Sequence, residues 1–61
     1  MIILEHDSVR LKDGREGIVV DTYENGTVFM VEICDDYGQT LETPILKEKD
    51  IESVIYSPKR H

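Results

Sequence analysis

Apolar and polar residues alternate with a period of two over most of the chain, and short clusters of turn-forming residues, not helical spacing, interrupt the pattern. Val9 and Leu11 fall on one side and Arg10 and Lys12 on the other, which predicts a first strand over residues 7–12. Ile2, Ile3 and Leu4, just before it, either begin a strand or cover the bottom of a barrel. Asp13-Gly14 is a turn dipeptide, because glycine accepts the positive φ of a tight turn. Gly17 stands directly before Ile18-Val19-Val20, where a glycine marks a bulge or a close backbone approach and lets one strand bend into two sheets.

The strand continues through Asp21-Thr22-Tyr23 to Glu24-Asn25-Gly26, a hairpin signal. Residues 27–34 form the clearest strand, with Phe29, Val31 and Ile33 toward the core and Val28, Met30, Glu32 and Cys34 half solvated. Residues 35–39 make the next turn, and residues 40–43 alternate again with Leu41 expected inward. Pro44 implies an edge or a bend, since it has no ladder donor, and Ile45 and Leu46 close that element. Lys47-Glu48-Lys49-Asp50 reads as a short helical turn. The spacing of three between Ile51 and Val54 fits a 3-10 turn feeding a last short strand. The expected division is therefore a barrel over residues 1–56 and a polar, frayed tail, containing Pro58, over residues 57–61.

A chain of 61 residues is one domain. A chain of that size buries only about 60% of its unfolded surface and has a stability of ~3–5 kcal/mol. Charged residues at 33% and apolar ones at 39% are placed too regularly for a disordered chain. A single cysteine, Cys34, leaves no intramolecular disulfide and reads as a small residue at a strand end. No apolar run approaches the ~20 residues of a membrane-spanning helix. Met1 to Leu4 lead into Glu5 and not into a long apolar leader. These features give the expectation of a cytoplasmic protein without membrane attachment.

The order of these segments carries a resemblance. Asp7-Ser-Val-Arg-Leu-Lys-Asp-Gly-Arg-Glu-Gly-Ile-Val-Val, then Phe29-Met-Val-Glu-Ile, then Lys49-Asp-Ile-Glu-Ser-Val resembles a bacterial family of short SH3-like barrel proteins of unknown function. That family has a D-x-V-x-L segment, G-x-V-V, an alternating Y-x-V-E-F strand, a D-x-x-G turn and a final D-L-x-x-V. The resemblance spans roughly residues 4 to 55 and implies an all-β fold: one SH3-like barrel of about five strands, with a short 3-10 turn before the last. It implies no catalytic residue. Gly17-Ile18-Val19 is also similar to the glycine-led strand of the KOW motif, whose domains bind RNA or protein.

Charge changes the picture of function more than of fold. Glu16, Asp21, Glu24, Glu32, Asp35, Asp36 and Glu42 lie between residues 16 and 46 with no lysine or arginine among them, and the net charge is −6. An anionic surface repels nucleic acid and attracts a cationic partner, with steering that weakens as salt rises. The sequence therefore predicts a protein-interaction module that docks on a basic protein through Tyr23, Glu24, Met30, Glu32, Asp35, Asp36, Tyr37 and Glu42. Aromatic and methionine side chains supply the apolar anchors there. An antitoxin or immunity role is the specific form of this expectation.

Two alternatives stand beside it: a homo-oligomer or accessory subunit using open strand edges and the outward Val28 and Met30, and an RNA-associated barrel of the KOW kind. No metal, cofactor or catalytic group is predicted. His6 and His61 lack ligand spacing with Cys34, Asp35-Asp36 reads as a turn and not a calcium loop, and no nucleophile has an identifiable base.

Overall fold

The computed structural model describes residues 1–59. Arg60 and His61, the end of the expected tail, lie outside the described residues. The chain is all-β. Strands β1 (Ser8–Leu11), β2 (Glu16–Tyr23), β3 (Val28–Cys34), β4 (Thr40–Glu42), β5 (Ile45–Lys47) and β6 (Ile51–Tyr56) form one antiparallel sheet, with a 3-10 turn at Glu48–Asp50 as the one helical element among the described residues. The order across the sheet is β4-β3-β2-β1-β6, and β5 also pairs with β3. There are six strands where about five were expected, because the fourth is interrupted at Thr43-Pro44. Pro44 breaks the ladder as a donor, yet its carbonyl still accepts from the amide of Val31 at 3.1 Å.

Alternation sorts the residues into an inner and an outer face. Val9, Leu11, Val19, Phe29, Val31, Ile33 and Ile51 are buried together with Ile3, and Leu46 and Val54 pack against them. Ile3 thus brings the N-terminal segment over the core. β2 and β3 are each shared between two halves of the sheet. The first half of β2 pairs with β1, whereas Asp21 to Tyr23 pair only with β3. On the far side of β3, Ile33 and Cys34 pair with β4 and Val28 to Met30 with β5.

The bend expected at Gly17 has two components at different residues. The bulge lies at Val20, where the β2–β3 register slips between Val19 and Asp21. Gly17 is instead a close approach: a Cβ there would lie 2.6 Å from the Glu32 carbonyl oxygen and 2.8 Å from Val31 Cγ1. The hairpin after Tyr23 behaves as its sequence requires, with Glu24, Asn25 and Gly26 all at positive φ.

Three expectations change. Leu41 is not inward but 62% exposed, because β4 is a three-residue edge strand with no buried position. The 3-10 turn does not extend over Ile51 to Val54. It ends at Asp50, whose Oδ2 accepts from the amide of Lys47 at 3.0 Å, and β6 is a continuous strand. Ile51 and Val54 nevertheless share the inner face, because an irregularity between the Arg10–Ser53 and Leu11–Ile51 pairs leaves Glu52 without a partner on β1. The residues after β6 are not loose where they are described: Ser57 donates through Oγ to Asp7 Oδ1, and Lys59 Nζ lies 3.3 Å from Glu5 Oε1.

Asp7 explains why the two ends of the chain meet. It is the one fully buried charged side chain among the described residues. Its Oδ2 accepts from the Leu4 amide at 2.9 Å and its Oδ1 from Ser57, while its carbonyl accepts from the amide of Val19. A buried carboxylate is tolerated only when its lone pairs are used, and here they tie the N-terminal segment, the start of β1 and the chain after β6 into one knot.

Candidate functional site

The outer face of the first half of the sheet carries the surface most suited to recognition. Register places Tyr56, Ser8, Ile18 and Glu32 in one row across β6, β1, β2 and β3. The neighbouring row holds Ser53, Arg10 and Glu16. An open groove of about 650 Å³ runs over Tyr56, Ser8 and Ile18 of the first row and Glu16 of the second, and on toward Arg15 of the β1–β2 turn and the end of β3. Ile18, Leu41, Ile55 and Tyr56 are its exposed apolar residues, and Asp35 and Asp36 stand on its lining at the end of β3. Ile55 and Tyr56 are adjacent in sequence yet both exposed. A regular strand would turn one of them inward, but the register slip between Ser8 and Val9 leaves Ile55 opposite no residue of β1 and ends the alternation.

The predicted interaction residues separate into two groups. Tyr23 and Glu24 sit at the tip of the β2–β3 hairpin, and Asp35, Asp36 and Tyr37 at the other end of β3, a distance of about 20 Å for a strand of this length. Tyr23 is held beside Asp21, and its phenol titrates above the ordinary tyrosine value because of partial desolvation first and the Asp21 carboxylate second. Met30 lies half-buried between the two groups, opposite Ile45 of β5. Only Asp35 and Asp36 of the predicted set line the groove.

Several of these residues already have structural partners. Asp35 Oδ1 accepts from the amides of Tyr37 at 2.8 Å and Gln39 at 2.9 Å, which fixes the turn. Tyr37 at its tip is 94% exposed. Glu32 accepts from Thr40 Oγ1 at 2.9 Å, so its carboxylate fastens β3 to β4. Glu42 accepts from Arg15 Nη1.

That last contact corrects the reading of an uninterrupted anionic surface. Cations from outside the acidic segment fold back onto it: Arg10 Nη2 lies 2.7 Å from Glu16, Arg15 bridges Asp13 and Glu42, and Lys47 stands opposite Val28, next to Tyr23 across β3. Hydrogen bonds from the Arg15 side chain hold the Asp13 carboxyl below its usual value, and the carboxylates of Asp13 and Glu42 raise the guanidinium in turn. Asp35 and Asp36 are different. Neither takes part in an ion pair among the described residues, so they are the uncompensated charges on the groove.

Sequence patterning missed Ile18, Ile55 and Tyr56. The available signal was the unbroken Val54-Ile55-Tyr56 run in a strand that otherwise alternates. No group of three or more His, Cys, Asp or Glu side chains among the described residues is arranged to hold a metal ion.

An all-β domain with an apolar groove and an unbalanced acidic rim defines the class structurally. Residues 2–53 match the family described as a domain of unknown function, DUF4926, and the chain belongs to that family. No curated protein and no solved structure matches the chain.

Proposed function

We propose that this protein is a non-enzymatic interaction module that docks on a basic protein through its acidic surface, and that its curled sheet is an SH3-like barrel. The 3-10 turn ahead of β6 and the sharing of β2 between two halves of the sheet support the barrel reading. The observation that carries the function is the position of Asp35 and Asp36: uncompensated carboxylates beside exposed Tyr37 and next to four exposed apolar side chains. Charge of one sign beside an apolar surface suits a partner with a cationic patch, because the charges steer the encounter and the apolar groups hold the complex.

A bacterial, cytoplasmic antitoxin or immunity role is the specific form of this reading, in which the acidic surface covers the cationic groove of a nucleic-acid-acting protein. Glu42 has a smaller part in it than the acidic segment suggests, since Arg15 matches its charge, and Glu32 and Tyr23 lie off the groove. Immobilised wild-type protein is expected to capture a basic protein from the native host at low salt, and a bait carrying Asp35→Lys and Asp36→Lys to lose it. Equal capture by both baits contradicts the reading.

The second reading is a homo-oligomer. Its support is on the other half of the sheet, where exposed Ile45 faces half-buried Met30 across the β3–β5 pair. Sedimentation separates the two, since a monomer at all concentrations removes the homo-oligomer. The RNA-associated reading rests on Lys12, Lys47 and Lys49, which make no ion pair among the described residues. Filter binding at low salt with no RNA retained removes it.

A further inference from the structure

We infer that the outer-face groove is a slot for one short extended segment of the partner, with a basic residue at one end and an apolar or aromatic residue about three positions away. This inference rests on the interaction reading above and adds where the partner sits and what it must contain. From its β6 end to Asp35 and Asp36 after β3 the groove crosses four strands, with Leu41 of β4 beyond, and three inter-strand spacings amount to ~14 Å, the reach of about four extended residues. Its two ends differ in chemistry. Ile55 and Tyr56 form a purely apolar end, Ile18 lies between, and at the other end Asp35 and Asp36 stand with exposed Leu41 of β4, so only that end carries free charge.

The charges along the sides do not blur that polarity. Glu16 is matched by Arg10, and Arg15 by Asp13 and Glu42, so neither side of the groove presents free charge except at the β3 end. A segment entering with its lysine or arginine toward Asp35 and Asp36 places its apolar side chain on Ile55 and Tyr56. A segment of the opposite polarity finds no anion for its cation at the β6 end.

A second copy of this chain fits less well. A two-fold interface centred on the groove sets each copy's Asp35 and Asp36 against the other copy's Ile55 and Tyr56, so the carboxylates gain no cation, in molecules that each carry a net charge of −6. It would also need about 800 Å² from each partner, a large share of the 4240 Å² that the whole described surface offers.

The test is a titration of the ¹⁵N-labelled full chain, followed by amide chemical shifts, with three capped synthetic pentapeptides: Lys-Lys-Gly-Ile-Phe, its acidic counterpart Glu-Glu-Gly-Ile-Phe, and pentalysine. The first peptide is expected to shift the amides of Ile18, Asp36, Leu41 and Ile55 saturably, and the acidic peptide to leave them unmoved. Ile18→Ser, at an exposed position, is expected to weaken the first peptide by about tenfold, the loss of one well-covered aliphatic side chain. Leu41→Ser serves as a second variant should Ile18→Ser disturb the fold.

If pentalysine binds as tightly as the mixed peptide and shifts Asp21, Glu24 and Glu52 as much as the groove, the slot is overturned while acidic docking stands. If no peptide moves the groove amides at millimolar concentration, the slot is likewise overturned. Acidic docking is then judged separately by capture with the Asp35→Lys, Asp36→Lys bait. A dimer that Ile18→Ser converts to monomer overturns the slot in favour of self-association.

Discussion

Arg15 reaches across 27 positions of sequence to donate a hydrogen bond to Glu42, while its other side-chain nitrogens hold Asp13. One arginine from the β1–β2 turn therefore neutralises an acid on β4 that the sequence places deep inside an all-acidic segment. The contact ties the β1–β2 turn to β4, and Asp35 and Asp36 stay the acids on the groove that no cation among the described residues matches.

This arrangement predicts an acid-side effect. Arg15 lowers the folded-state value of Asp13 from 3.8, so its contribution to stability is present above that ordinary value and is lost as pH falls through the lowered one. Arg15→Gln removes the shift. Acid unfolding followed by circular dichroism should begin at slightly higher pH in Arg15→Gln than in wild type, reflecting a stability deficit that is already present at neutrality, vanishes below the lowered Asp13 value and is small throughout because the pair is exposed and screened. Superimposed acid transitions would show that the bridge does not persist in solution.

Gly17 predicts a steric effect. Alanine there meets the Glu32 carbonyl oxygen and Val31 side chain, one of them backbone that cannot swing away. Overpacking of this kind costs ~1–3 kcal/mol, a large part of the ~3–5 kcal/mol expected for a domain of this size. Gly26→Ala tests a different cause, since nothing lies within 4 Å and only its positive φ resists a side chain. Urea unfolding should therefore rank Gly17→Ala as at least as damaging as Gly26→Ala. A Gly17→Ala midpoint equal to wild type would refute the close approach.

Asp7 and Ser57 should behave as a coupled pair. Asp7→Ala strands the Leu4 amide and the Ser57 hydroxyl, and an orphaned buried donor costs ~1–3 kcal/mol. Ser57→Ala should cost less alone and almost nothing in an Asp7→Ala background. Additive losses in a double-mutant cycle, read by urea unfolding, would mean that the two side chains act independently.

How much of this was legible beforehand follows from what pairing information a sequence carries. The inner face of β3 was readable because Phe29, Val31 and Ile33 alternate without a break, and the hairpin because Asn25-Gly26 demands positive φ. Leu41 was misplaced because alternation gives the two faces of a strand but not whether a partner layer covers either one. Ile51 and Val54 suggested a helical spacing because a bulge in a strand can also return residues three apart to one face. The acidic segment was visible as composition. Its interruption by Arg10, Arg15 and Lys47 was not, because those contacts depend on which strands become neighbours. Asp7 stands in the sequence only as the start of the first strand, and the meeting of the chain before it with the chain after β6 reveals it as buried.

The central claim is that Asp35 and Asp36 steer a basic protein onto this surface. Its most direct test is the association rate constant with the captured partner, measured by stopped flow from low to physiological salt for wild type, Glu42→Gln and the Asp35→Lys, Asp36→Lys variant. The account predicts a wild-type rate that falls as salt rises, a near-wild-type rate for Glu42→Gln, and a strongly reduced, less salt-sensitive rate for the double variant. Equal rates for the wild type and the double variant at low salt would contradict it.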